Sequence, residues 1–181
     1  MENEERTVLR DCPATIIPSG ESIMIPKDSK VVITHRLGGN FTVTWAYGMA
    51  RIAGQEAEAL GEELVHEVTP KESEYKGAPD EEAIWEQLKT VFDPEIPVNI
   101  VDLGLVYSME VEKTQTDSYR VEIKMTLTAP GCGMGPAIAE DAKERVSCVP
   151  GVTDANVEIV WDPPWQQDMI SEEGKMQLGL I

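Results

Sequence analysis

The sequence predicts an α+β fold: a domain of order α-β-β-α-β with one small mixed sheet, preceded by a small β-rich domain. Three observations lead there. Residues 22–52 hold short β-branched runs broken by glycine-containing turns. Residues 84–92 and 138–149 carry apolar side chains at helical spacing. Residues 103–127 alternate apolar and polar, as strands with one buried face do.

Taken in order, Ile23 and Ile25 alternate with polar neighbours and stop at Pro26. Val31 to Arg36 is the next strand. Gly38-Gly39-Asn40 supplies the positive φ angles of a tight hairpin, and Phe41 to Trp45 returns. Tyr47-Gly48 turns the chain again into Met49 to Ile52. Strands this short suggest a small barrel or sandwich. Gln55 to Leu60, ended by Gly61, reads as a helical turn. The β-rich domain is assigned to residues 1–69, with only its first few residues reading as disordered. Residues 70–79 begin and end with proline and hold almost no apolar side chain, which marks a linker.

The second domain is assigned to residues 80–181. Asp80 caps a helix whose face is Ile84, Leu88, Val91 and Phe92, stopped by Asp93-Pro94 and Ile96-Pro97. Leu103, Leu105, Tyr107, Met109 and Val111 form one strand face. After the turn Thr114 to Asp117, Val121, Ile123, Met125 and Leu127 form the facing one. Pro136 suits a first helical turn, and Ile138, Ala142, Val146 and Val149 mark that helix's buried stripe up to Pro150-Gly151. Val157, Ile159 and Trp161 give a third strand, parallel to the second because a helix crosses between them.

Composition narrows the function. The formal net charge is −18, and 20 of the 33 acidic residues but only 7 of the 15 basic ones lie in residues 80–181. Such a chain repels phosphate backbones, which argues against nucleic acid as a partner. The acid runs at Glu56–Glu63 and Glu172–Glu173 read as solvated faces. No apolar run is long enough to span a membrane, and the start, Met1-Glu2-Asn3-Glu4-Glu5, lacks the basic and apolar segments of a secretory signal. The expected location is the cytoplasm. The cysteines are Cys12, Cys132 and Cys148; an odd number without a Cys-x-x-Cys pair fits neither a disulfide framework nor a zinc ribbon. Three thiols also fall short of the four thiolates of an all-cysteine cluster site.

Cys132 lies in Ala129-Pro130-Gly131-Cys132-Gly133-Met134-Gly135, between a strand end and a helix start. A helix start favours an anion, so the thiol is expected to titrate low and react readily. A free cysteine packed in a glycine-rich turn is the competing reading. Cys148 and Cys12 read as packed thiols. Asp93, Glu95 and Asp102 either cap backbone N–H groups or line a pocket facing Cys132. Trp165, after Asp162-Pro163-Pro164, is either a packing lid or a partner anchor. His35 and His66 read as structural or surface residues.

Four motifs in order carry a resemblance: Asp93 to Pro97, Val101 to Tyr107, Thr128-Ala129-Pro130-Gly131-Cys132, and Trp161 to Trp165 followed by Met169-Ile170-Ser171. Residues 80–181 resemble the metal–sulfur cluster assembly domain of PaaD and of the eukaryotic cytosolic iron–sulfur machinery. Ile17 to Gly20, Leu37 to Val43 and Gly54 to Gly61 look like the β-rich extension of SufT-type iron–sulfur cluster assembly proteins. The resemblance implies a maturation factor that assists cluster assembly or transfer to apo-proteins and is not an enzyme. It implies a transient iron–sulfur cluster or iron as cargo, none needed for folding, and a scaffold and client apo-proteins as partners. It makes Cys132 the reactive or ligand thiol. Asp93, Glu95, Asp102, Thr128 and Gly131 fall at the family's motif positions. Two other readings stay open: a thiol enzyme or persulfide or thioester carrier acting through Cys132, and an adaptor acting through Trp165 and the acidic surface. A cluster on so few thiols calls for a homodimer or an outside thiol.

Overall fold

The structure, a computed structural model, describes residues 4–63 and 77–181. The chain divides into two compact units, Met1–Glu67 and Val68–Ile181. Most of the predicted linker, and His66, lie outside the described residues.

The first unit is one antiparallel sheet. Its strands are β1 (Glu4–Thr7), β2 (Cys12–Ile17), β3 (Ser22–Ile25), β4 (Lys30–Leu37), β5 (Asn40–Trp45) and β6 (Gly48–Ile52), in the order β1-β4-β5-β6-β2-β3. The barrel or sandwich expectation thus resolves into a single six-stranded sheet. The β4–β5 turn has Gly38 and Gly39 at φ 59° and 81°, as a tight hairpin requires. Ile25, Ile33, Phe41, Val43 and Ile52 build the core, closed by Ala57, Ala59 and Leu60 of a 3₁₀ turn at Gly54–Leu60.

Two expectations fail here. Glu4 and Glu5, among the first few residues that read as disordered, lie in a strand, Glu4–Thr7, paired with β4. Ion pairs hold it: Lys30 to Glu5, and Arg6 and Arg36 to both Glu4 and Glu62. Glu62 is therefore not a solvated charge, its side chain being 19% exposed between two guanidinium groups. β2, unread in the sequence, pairs with both β3 and β6.

The second unit follows the predicted α-β-β-α-β order. α1 (Glu81–Leu88) starts at Asp80, whose carboxylate accepts from the Glu82 N–H at 3.0 Å. β7 (Val106–Lys113) and β8 (Tyr119–Met125) are antiparallel. α2 (Gly135–Ser147) crosses to β9 (Asp154–Ile159), which runs parallel to β8. Ile84, Leu88, Val121, Ile123, Met125, Ile138, Ala142 and Val146 are buried. Arg145, 7% exposed, donates to Asp141 at 3.2 Å and to Thr90 at 2.9 Å, tying α2 to the end of α1.

Boundaries shift in several places: β8 ends at Met125 rather than Leu127, and α2 at Ser147 rather than Val149. α1 ends at Leu88, because the Thr90 hydroxyl takes the Gln87 carbonyl at 2.6 Å; Val91 stays buried beyond the helix and Phe92 bridges Asn99. β7 begins at Val106 rather than Leu103, because Gly104 turns the chain at φ 72°. Trp161 falls past the end of β9 and is 49% exposed. The tail adds a 3₁₀ turn at Gln167–Met169 and a short α3 at Glu172–Gln177.

Leu127, 3% exposed, packs so closely under the start of α2 that a Cβ on Gly135 would lie 2.6 Å from its Cδ1. Leu127→Ala should therefore cost about 2–5 kcal/mol, read as a lower urea midpoint with an unchanged slope.

Candidate functional site

The site is built on the connection from β8 to α2. Leu105 O accepts the Thr126 N–H at 2.8 Å, holding the end of β8 beside the residues that lead into β7. The chain then turns. Ala129 O accepts the Cys132 N–H at 3.4 Å, and Cys132 O accepts the Gly135 N–H at 3.2 Å. Gly131 sits at φ 82°, where a side chain strains the backbone, although a Cβ there would meet nothing within 4 Å. Open space therefore lies over the residue before Cys132.

The Cys132 thiol is half-buried. Burial pushes its pKa above the ordinary thiol value; the Met134 N–H opposes this, and the charges of Asp93 and Glu95 add to it. The expected low-titrating thiol is not what the structure gives. Its cause is visible: α2 is capped at Met134 and begins at Gly135, so the sulfur stands outside the first turn, where the dipole has faded. Burial dominates instead, and the charges of Asp93 and Glu95 add to it.

Asp93 is 2% exposed and accepts the Glu95 N–H at 2.9 Å. Burial raises its pKa; that hydrogen bond lowers it, and the Glu95 charge raises it. Glu95 is exposed. Asp102, the third acid of the sequence motif, has a different role. Its Oδ2 accepts from Asn99 Nδ2 at 2.6 Å and its Oδ1 from the Ser171 hydroxyl at 2.8 Å. Asn99 does the backbone capping, its Oδ1 accepting from the N–H groups of Val101 and Asp102 at 3.0 and 2.9 Å. Thr128 is half-buried on the Cys132 loop. Trp165 is half-buried too, its indole N–H donating to Leu103 O at 2.7 Å.

The other thiols have different surroundings. Cys148 follows the thirteen-residue α2, about 20 Å along the helix from the Cys132 end. Its sulfur bonds Glu144 O at 3.3 Å, and burial raises its pKa. Cys12 is fully buried, its pKa pushed up to about 11 by burial first. His35 lies half-buried on β4. Among the described residues, no three of His, Cys, Asp and Glu are grouped to hold a metal ion.

Sequence reasoning missed Asn99 and Ser171, which local patterns could have marked: an Asn accepting from N–H groups two and three residues on, and a Ser before Glu-Glu at a helix start. It also missed Thr126, which is fully buried with no protein partner for its hydroxyl.

Residues 81–159 match the family described as iron–sulfur cluster assembly protein. An Fe-S protein maturation auxiliary factor of Porphyromonas gingivalis is 44% identical over 101 residues, 56% of this chain and 92% of that protein. The chain belongs to the iron–sulfur cluster assembly protein family. The Fe-S protein maturation auxiliary factor SufT of Staphylococcus aureus is 43% identical over 90 residues, 50% of this chain and 98% of that one. A crystal structure titled as a domain of unknown function from Bacillus anthracis aligns at a TM-score of 0.50 and 37% identity, covering 56% of this chain and 92% of that one. The family match takes in Asp93, Glu95, Asp102 and Cys132, and the first unit lies outside it.

Two outcomes follow from the electrostatics. Asp93 binds its proton more tightly folded than unfolded, so its charging removes stability as pH rises from the unfolded value of about 3.9 through the folded one. Asp93→Asn should raise the urea midpoint at pH 7, and the gain should vanish below about pH 4. Glu95→Gln removes one charge that opposes the thiolate, so iodoacetamide should label Cys132 about twofold faster near neutral pH, with Cys148 unchanged.

Proposed function

We propose that the protein is a cytoplasmic, non-enzymatic maturation factor that passes iron–sulfur clusters from a scaffold to apo-proteins, with Cys132 as the thiol that meets the cluster. The observation that carries this reading is a half-buried sulfur on an open glycine turn, within the electrostatic influence of Asp93 and Glu95 and inside the segment that matches the family. A sulfur and carboxylates together suit iron, which accepts both soft and hard ligands.

The residues fit a shared site and do not fit a closed one. Cys12 is sealed in its own core, and Cys148 is a helix length away. One thiolate per chain leaves the remaining positions of a cluster to a second copy or to thiols of scaffold and client. Such incomplete ligation favours a protein that releases its cargo. Metal binding also explains how a thiol held above its ordinary pKa is used: iron displaces the proton that burial, with the acid loop, stabilises. The partner-facing part is assigned to the tail, where Trp165 is held in place and Trp161 stays exposed.

Anaerobic reconstitution with iron and sulfide tests the thiol. Wild type should develop cluster absorption together with a doubling of mass by light scattering, or only when a small thiol is added. Cys132→Ser should give neither, while its stability falls by less than about 1 kcal/mol. In cells that variant should reach normal abundance and leave a cluster-dependent dehydratase under-active. A stable Cys132→Ser protein that fully supports the dehydratase would remove the thiol from the function.

A further inference from the structure

We propose that Ser171 and Asn99 are positioning residues: acting through Asp102, they latch the C-terminal tail onto the acid loop and so hold Asp93 and Glu95 at the Cys132 loop. The inference rests on the function proposed above and assigns that site a support it does not itself contain.

The contacts run in series. Ser171 binds Asp102 twice, through its hydroxyl to Oδ1 and its N–H to the backbone carbonyl, both at 2.8 Å. The same hydroxyl accepts the Gly174 N–H at 3.0 Å and caps α3. The other oxygen of Asp102 holds Asn99. Asn99 lies opposite Phe92 in a two-residue bridge, and Phe92 precedes Asp93. The loop is closed on itself by Ile100 N–H to Val91 O at 2.9 Å and Leu105 N–H to Ile100 O at 3.0 Å. A pull on Ser171 is thus a pull on the base of the Asp93–Glu95 turn.

The tail lies flush against this loop. A Cβ on Gly104 would sit 2.3 Å from Met169 O, and one on Gly174 would sit 2.9 Å from Asp102 O. Trp165 reaches Leu103 O, and the Tyr107 hydroxyl reaches Pro163 O at 2.7 Å. Yet the tail buries little. Ile170 is its one buried large apolar side chain, while Trp161, Gln166, Gln167, Asp168, Glu172 and Glu173 are exposed. An attachment that depends on a few polar bonds opens locally at far lower cost than the core. Both oxygens of Asp102 are engaged by side chains. Its carboxylate therefore acts on the site through what it ties together.

The test uses the full chain and reads hydrogen exchange, thiol labelling and client activity together. Ser171→Ala should speed exchange of amides in residues 93–104 roughly tenfold, the factor of one lost charge-assisted hydrogen bond, and leave β8 amides protected. Iodoacetamide labelling of Cys132 should rise relative to Cys148 as the acids move off. Dehydratase activity in cells should fall toward the Cys132→Ser level. Ser171→Thr, which keeps the hydroxyl, should restore all three. If Ser171→Ala does not accumulate, Asp102→Ala, which removes both side-chain bonds of the latch, should give the same changes. The latch is overturned if the variant frees α3 while loop exchange and Cys132 labelling stay as in wild type. It is equally overturned if the loop loosens and the dehydratase stays fully active while Cys132→Ser is deficient. Should Cys132→Ser itself sustain full activity, the proposed function falls, and exchange and labelling alone decide the latch.

Discussion

The parallel pairing of β8 with β9 governs the second unit. Parallel neighbours need a crossover, and α2 supplies it. The chain must leave the end of β8, turn and enter the helix within a few residues, so a short exposed turn is fixed at that end of the sheet. Gly135 then presses the helix start onto Leu127, two residues beyond the end of β8, and onto Ile159, the last residue of β9. The Cys132 turn is a by-product of this connection, held by the core beneath it. That is why a loop with few bonds of its own can present a side chain in a defined place.

Much of this was legible in the sequence. The helix and strand order of the second unit, its parallel last strand and the glycine hairpin of the first follow from periods, prolines and β-branched runs. What misled was context. Leu103 and Leu105 alternate as a strand would, yet they are buried in a turn because Gly104 must let Met169 pass. Glu4 and Glu5 are charged and look unstructured, yet ion pairs with Arg36 and Lys30 hold them in an edge strand. No local pattern carries a partner that lies dozens of residues away.

The same holds at the site. Cys132, Asp93 and Glu95 stand at motif positions, and they are near one another in charge. The sign of that nearness was not readable. A helix start argues for a thiolate, but one turn of chain separates sulfur from helix, and burial prevails, with the two acids adding to it. A buried Asp93 is a standing cost to the fold, since burial disfavours its charge. Natural proteins keep such groups where chemistry needs them and compensate in the surrounding packing. Asp102 teaches the converse, for an acid in the same motif is spent on joining two segments of chain.

Among the described residues, the three-stranded sheet leaves β7 and β9 unpaired on their outer sides. Open edges invite further strands, and hence stacking of copies into fibres. Here both are guarded by sign. Two β9 strands meeting antiparallel about Asn156 would set Asp154 against Glu158 at both ends. Two β7 strands meeting about Glu110 would set that residue against itself. Like charges directly opposite each other oppose such ladders. Copies of this unit are thereby turned away from growing the sheet sideways.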